Sequence, residues 1–320
     1  MRLLFVTSTR VGDAILSSGI LDHLIGANPG CRVTVACGPA AAALFSALPG
    51  LERIVVLEKM AFSLHWLALW AACVGTVWDV IVDLRNAPLT LLLAARRRYR
   101  IRRSREAVHR VVKMAEVVGL ADNPPTPRLW TGDAHRAAAV RRIPDGSPVL
   151  AIGPTANWVA KTWPADRFAE LAERLTGPAG ILPGGRVALF GCADERPSAV
   201  RLIEAIPAER RLDLIGRLDL IEVFACLERC AFYVGNDSGL MHLAAAAGVP
   251  TLGLFGPSPE AMYAPWGPFT DVVRPDAAYE EIFPDGFDPK DTGTLMNGLS
   301  VHRVEQAAVA LWRRVRETAA

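Results

Sequence analysis

Residues 234–256, VGNDSGLMHLAAAAGVPTLGLFG, change hydrophobic period twice within one short stretch. The apolar run AFYV leads in from Ala231 and reads as a short buried strand. LMHLAAAAG is helical by its alanine content, and TLGLFG is a second buried strand. Asn236, Asp237, Ser238 and Gly239 therefore occupy a strand-to-helix turn, where an α/β fold presents ligands to a helix N-terminus. A carboxylate at that place is unexpected, because phosphate is the usual guest.

The same alternation extends in both directions. RLLFVTS reads as a strand, followed by a helix from about Gly12, strand CRVTVAC, helix PAAAALFSAL, strand RIVVLE, an apolar helix, and strand VWDVIVDLRN. A helix over 107–119 ends at Gly119, and ADNPPTPRLWTGD is a proline-rich break. Beyond it come strand SPVLAIGPT, helix 165–176, strand RVALFG, helix 195–206, strand RLDLIG and helix 219–229, with VHRVEQAAVALWRRVRET closing the chain as an amphipathic helix. Strands that are apolar without alternation have both faces covered, so the class is α/β with parallel sheets. Two blocks joined by a polar Pro/Gly connection near 121–147 predict two Rossmann-like, doubly wound domains, 1–146 and 147–320, facing a central cleft lined by the carboxyl ends of both sheets.

Composition narrows the partners. A formal net charge of +2 over 320 residues gives no global field for nucleic acid. The six cysteines form no CxxC pair, and Cys226 and Cys230 read as buried small hydrophobes. The absence of a secretory pattern in MRLLFVTSTR points to the cytoplasm. Residues 60–78, MAFSLHWLALWAACVGTVW, are nearly long enough to span a bilayer but contain Gly75 and run into a β-branched strand. A buried helix of about three turns and a membrane-docking helix both fit, the latter because of Trp66, Trp70 and Trp78.

Four loops at the expected carboxyl ends carry the chemistry. In TSTRVGDAILSS, residues 7–18, Gly12 permits close backbone approach, but the GxGxxG of a dinucleotide site is missing. Asp13 is either a dipole-favoured acid at a helix start or a general base. In GPTANWVAKTWPADRF, residues 153–168, Pro164 opens a helix with Thr162 as its expected cap. Lys161 beside that positive helix end makes sense if an anion binds between them, and Thr155 and Asn157 are assigned to the same donor side. In FGCADERP, Glu195 either accepts ribose hydroxyls or caps its own helix. In the 234–256 stretch, amides from Ser238 onward suit a diphosphate, while Asp237 takes hydroxyls of the attached sugar. His242, one turn on, completes the cradle or is a buried histidine.

RVGDAILSS, VWDVIVDLR, HRVVKMAEVVGL, KTWPADRF and above all VGNDSGLMHLAAAAGVPTLGLFGPS resemble glycosyltransferase family 9, the ADP-heptose:lipopolysaccharide heptosyltransferases. The matches run in order from residue 2 to about 268. The resemblance implies a GT-B fold whose C-terminal domain holds the nucleotide sugar. It also implies an inverting, metal-independent transfer onto a lipopolysaccharide core at the inner face of the cell membrane. Asp13 aligns with the family's proposed base, Lys161 with its phosphate lysine, Asp237 to His242 with its donor loop, and Glu195 with its ribose acid. The donor is then a substrate, expected to be ADP-heptose, and no cofactor or metal is expected. The chain also has no D-x-D with which to hold one. Two other readings stay open: a member acting on another surface polysaccharide with a different sugar, and an inactive nucleotide-sugar-binding protein.

One run remains, RRRYRIRRSREAVHR, residues 96–110, with eight arginines and one glutamate. Arg97, Arg98, Arg100, Arg102 and Arg103 are assigned to an anionic lipid headgroup or an acidic saccharide acceptor, against a merely solvated face. With the apolar 60–78 segment they predict peripheral attachment to a membrane surface.

Overall fold

A computed structural model describes residues 1–102, 107–277, 279–283, 287–288 and 292–319. The chain divides into two compact units, Met1–Gly132 and Asp133–Ala320.

The first unit is a parallel sheet in the order β3-β2-β1-β4-β5. Its strands are β1 Arg2–Val6, β2 Arg32–Cys37, β3 Leu51–Val56, β4 Trp78–Asp83 and β5 Ala95–Arg100. Helices α1 Val11–Gly26, α2 Pro39–Ala42, α3 His65–Cys73 and α4 Arg110–Glu116 accompany it. Leu4, Val6, Trp78 and Ile81 of the central strands pack with Leu69 and Cys73 of α3 in one apolar cluster. The strand order reverses between β1 and β4, so the loops after these two strands flank a topological switch point.

The second unit is a parallel sheet in the order β11-β10-β9-β6-β7-β8. It contains α5 Asp133–Arg142, β6 Val149–Gly153, α6 Ala165–Thr176, β7 Arg186–Leu189, α7 Arg196–Ala205, β8 Arg211–Asp213 and α8 Leu220–Leu227. The chain continues through β9 Phe232–Asn236, α9 Gly239–Ala246, β10 Thr251–Leu254, α10 Glu260–Tyr263, β11 Thr270–Val273 and α11 Val301–Ala319. Trp163 and Phe168 meet edge-on at 4.9 Å in its core. The reversal here lies between β6 and β9, so the loops following Gly153 and Asn236 share one end of the sheet. Cys226 is fully buried on α8 and burial pushes its thiol up to about 12, as a core hydrophobe requires.

Several sequence expectations are refined or corrected. The connection near 121–147 contains α5, which packs on α8, and the compact division falls within it at Gly132/Asp133, so α5 goes with the second unit. Within 60–78 the expected short helix forms, nine residues from His65 to Cys73 with one face on the core, and the segment then runs into β4. Its tryptophans turn inward: Trp78 is buried on β4, and Trp66 and Trp70 pack against the apolar cluster. The arginine run begins as strand β5, paired in register with β4, Val80 opposite Arg97 and Asp83 opposite Arg100. Charged side chains are tolerated there because β5 is the sheet's edge. Thr162 does not cap α6. Pro164 stands at the N-cap without a side-chain bond, and the Thr162 carbonyl instead accepts from Thr294 Oγ1.

Candidate active site

At the switch point of the second unit, β9 ends in Asn236, Asp237 follows it, and α9 starts at Gly239. Asn236 is fully buried: its Oδ1 accepts from Trp163 N at 3.0 Å and its Nδ2 donates to the Pro154 carbonyl at 2.8 Å. This one amide fastens the loop after β6 to the loop after β9, which positions Lys161. Lys161 Nζ reaches Asp237 Oδ2 at 2.6 Å, with both side chains mostly out of solvent. That pair gives the carboxylate a reason to stand in an anion site. A helix N-terminus and an ammonium both raise the local potential there. Ser238, at the N-cap of α9, makes no side-chain cap, so its helix start is not closed by its own hydroxyl.

Buried hydroxyls surround this corner. Thr155 Oγ1 is shielded from solvent with no hydrogen-bond partner, and Tyr233 Oη and Ser238 Oγ are shielded beside each other. Tyr233 is fully buried, and burial pushes its phenol far above the ordinary tyrosine value despite the neighbouring Ser238 hydroxyl. Its ring runs along Gly153 and Gly235, where an added Cβ would collide with the phenolic oxygen. Buried polar atoms are costly unless paired, so their clustering at a sheet's carboxyl end makes this corner the candidate ligand site. Glu195 borders the same space through Gly191, but its Oε2 accepts from Cys192 N at 2.7 Å and so caps its own turn. Asn157 is exposed on the loop, and His242 is buried in α9.

The first unit carries a separate pocket at its own switch point. About 280 Å³ is lined by Thr7, Ser8, Arg10, Asp13, Arg85 and Arg110, among others. Gly12 and Asp13 lie in the first turn of α1, and Asp13 Oδ1 pairs with Arg110 Nε at 3.2 Å. Arg85 has a buried Nη1 without a hydrogen-bond partner, and its guanidinium lies 5.3 Å from the Trp66 ring centre. Burial pulls Arg85 below the usual arginine value, against the opposing pull of Asp83 and Asp13.

Arg110 and Arg85 were not singled out from sequence. The signal for Arg110 was the one used for Lys161, a cation at a helix N-terminus with no dipole reason to be there. Tyr233 was also missed; its signal is the glycine two residues on, which clears space on the same strand face.

Of the basic run, Arg97 and Arg102 are exposed, whereas Arg98 and Arg100 are half-buried and engaged. Arg98 Nη2 donates to the Leu93 carbonyl at 2.6 Å. Arg100 Nε pairs at 3.4 Å with the buried Asp83, whose Oδ2 also accepts from Thr90 Oγ1 at 2.7 Å. These two arginines serve the fold as well as any ligand. Arg103 lies outside the described residues.

The model of glycosyltransferase family 9 (heptosyltransferase) matches residues 67–281, more than half of the chain. The chain belongs to glycosyltransferase family 9. As a family 9 glycosyltransferase it is 27% identical over 311 residues to lipooligosaccharide heptosyltransferase 2 of Haemophilus influenzae, covering 86% of this chain and 88% of that protein. The structure of E. coli ADP-heptose lipopolysaccharide heptosyltransferase II aligns over 99% of this glycosyltransferase and 100% of that chain, with TM-score 0.75 and 21% identity. An E. coli heptosyltransferase solved with ADP aligns over 97% and 100%, with TM-score 0.72 and 20% identity. These two likenesses show a shared GT-B fold. Family 9 enzymes use nucleotide sugars, and among the described residues no three His, Cys, Asp or Glu side chains gather as a metal set.

Proposed function

We propose that this glycosyltransferase moves a heptose from ADP-heptose onto an anionic lipopolysaccharide-core saccharide, with inversion at the anomeric carbon. The observation carrying this reading is the corner formed by Lys161, Asp237, the open start of α9 and three buried hydroxyls. A nucleoside diphosphate sugar suits every part of that corner. Its phosphates take the Lys161 ammonium and the first amides of α9, its sugar hydroxyls take Asp237, and its ribose takes the free oxygen of Glu195. Lys161 has three donors, so it can hold Asp237 and a phosphate oxygen together. That charge stabilises the departing diphosphate without a metal.

Asp13 is the base in this reading: it accepts the proton of the acceptor hydroxyl as that oxygen bonds to the anomeric carbon and the C–O bond to the diphosphate breaks. The guanidinium groups of Arg10, Arg85 and Arg110 around it suit an acceptor bearing phosphate or carboxylate. The Met1–Gly132 unit then serves the acceptor and the Asp133–Ala320 unit the donor. With Arg97, Arg102 and their neighbours facing an anionic lipid surface, the enzyme works attached peripherally to the membrane that carries its acceptor.

The test is binding of ADP and adenosine to the protein and to Lys161→Ala by calorimetry. A lost charge-assisted bond should weaken ADP roughly 10–100-fold and leave adenosine nearly unchanged. An equal loss for both ligands would mean the lysine does not meet phosphate.

A further inference from the structure

We infer that the outer face of α3, together with the turn over Pro88–Leu92, is a membrane-insertion surface that lies in the headgroup region of an anionic bilayer. This rests on the reading of the first unit as the one that meets the membrane.

Leu64, Leu67, Ala68, Ala71 and Val74 recur at helical spacing and are all exposed, so every fully exposed position along α3 is apolar, with His65 half-buried at its start. The opposite face, with Leu69, Trp70 and Cys73, is on the core. A helix that is apolar all round belongs inside something, and this one has protein on one side only. Before α3, Phe62 and Ser63 hold left-handed backbone at φ 50° and 58°, and Phe62 is 97% exposed. A bulky side chain in that conformation is strained, and here the strain buries nothing; it holds a phenyl ring out into solvent. The turn over Pro88–Leu92 packs beside α3 and adds Leu91 and Leu92, the latter 68% exposed.

Charge selects the occupant. No acidic residue occurs between Lys59 and Asp79, and cations are fixed to the backbone of the patch itself. Arg53 Nη2 donates to the Ala72 carbonyl at the end of α3, and Arg98 Nη2 donates to the Leu93 carbonyl at the end of the turn. Arg97 is exposed on the adjacent strand. An apolar surface ringed by cations matches the acyl boundary below anionic headgroups, whereas a second copy of this chain would bring like charges together. Nine residues span about 14 Å at ~1.5 Å each, so α3 can lie in the interface but cannot cross the bilayer.

Phe62→Ser with Leu92→Ser removes two side chains that are already in solvent, so folding is unaffected and ADP binding by the second unit serves as the control. Co-sedimentation uses vesicles of phosphatidylglycerol with phosphatidylcholine, at low and at physiological salt. The protein should bind, and the double variant should partition roughly tenfold or more weakly, as expected for two large apolar groups lost from an interface. If the variant binds as well as the parent, the surface is wrong and attachment through arginines alone stands. If the parent binds no vesicle at any salt, the membrane reading itself fails. A dimer that the double variant dissociates would instead assign the face to a second copy and overturn the inference.

Discussion

Asp213 exemplifies what single residues do in this fold. It ends β8, and its two oxygens take Arg196 Nη1 and Nη2 at 3.1 and 2.6 Å, at the first residue of α7. Burial alone would raise its carboxyl, but Arg196, the Ile215 amide and Arg217 together hold it below the usual carboxylate value. Because the folded value is the lower one, the pair stabilises the protein above the unfolded carboxylate's value of ~3.9 and that stability is lost as pH falls through the folded value. Asp213→Asn should therefore lower the unfolding midpoint at pH 7, and the gap from the parent should close on titration into acid. A gap that persists unchanged at pH ~2.5, measured by urea melts, would show that packing rather than charge holds this corner. Lys161 and Asp237 are coupled differently, since removing one leaves the other charge enclosed and unpaired, a costly state.

At the scale of elements, β6 and β9 are adjusted to each other through one side chain. Tyr233 threads between Gly153 and Gly235 on the paired strands, so both positions need a bare Cα. Gly153→Ala should cost about 1–3 kcal/mol by overpacking. Tyr233→Phe should recover much of it, because the next ring atom would then be 3.0 Å from the new Cβ. Differential scanning calorimetry of the two single variants and the double variant checks this; additive losses would mean the clash lies elsewhere. The same strands explain what could be read from sequence. The interiors of β1, β6, β9 and β10 are apolar because both faces are covered, β4 keeps Val80, Ile81 and Val82 buried between Asp79 and Asp83, and α6 was legible to the residue through its amphipathic pattern. β5 was not legible, since an edge strand need not be apolar and ARRRYR reads as a charge run. α5 buries only Ala139, so it leaves no apolar stripe to detect. The loops were identified as sites by residue type, but their pairings were not. Lys161 meets Asp237 across 76 residues and Arg110 meets Asp13 across 97, distances that only strand order brings to one sheet end.

For the whole molecule, two parallel sheets each expose a switch point, one holding a carboxylate among guanidinium groups and the other an ammonium–carboxylate pair beside a helix start. That division of chemistry suits the proposed group transfer between an anionic acceptor and a diphosphate donor, with Asp13 and Lys161 on different units. The most direct measurement is mass spectrometry of a lipopolysaccharide-core acceptor incubated with ADP-heptose in EDTA, using the parent protein and Asp13→Asn. The expected outcome is acceptor gaining one heptose with the parent despite the chelator, and turnover lower by ~10²–10⁴ with Asp13→Asn at little-changed donor affinity. Transfer that requires added magnesium or manganese, or near-normal turnover by Asp13→Asn, would contradict a metal-independent transfer with Asp13 as its base.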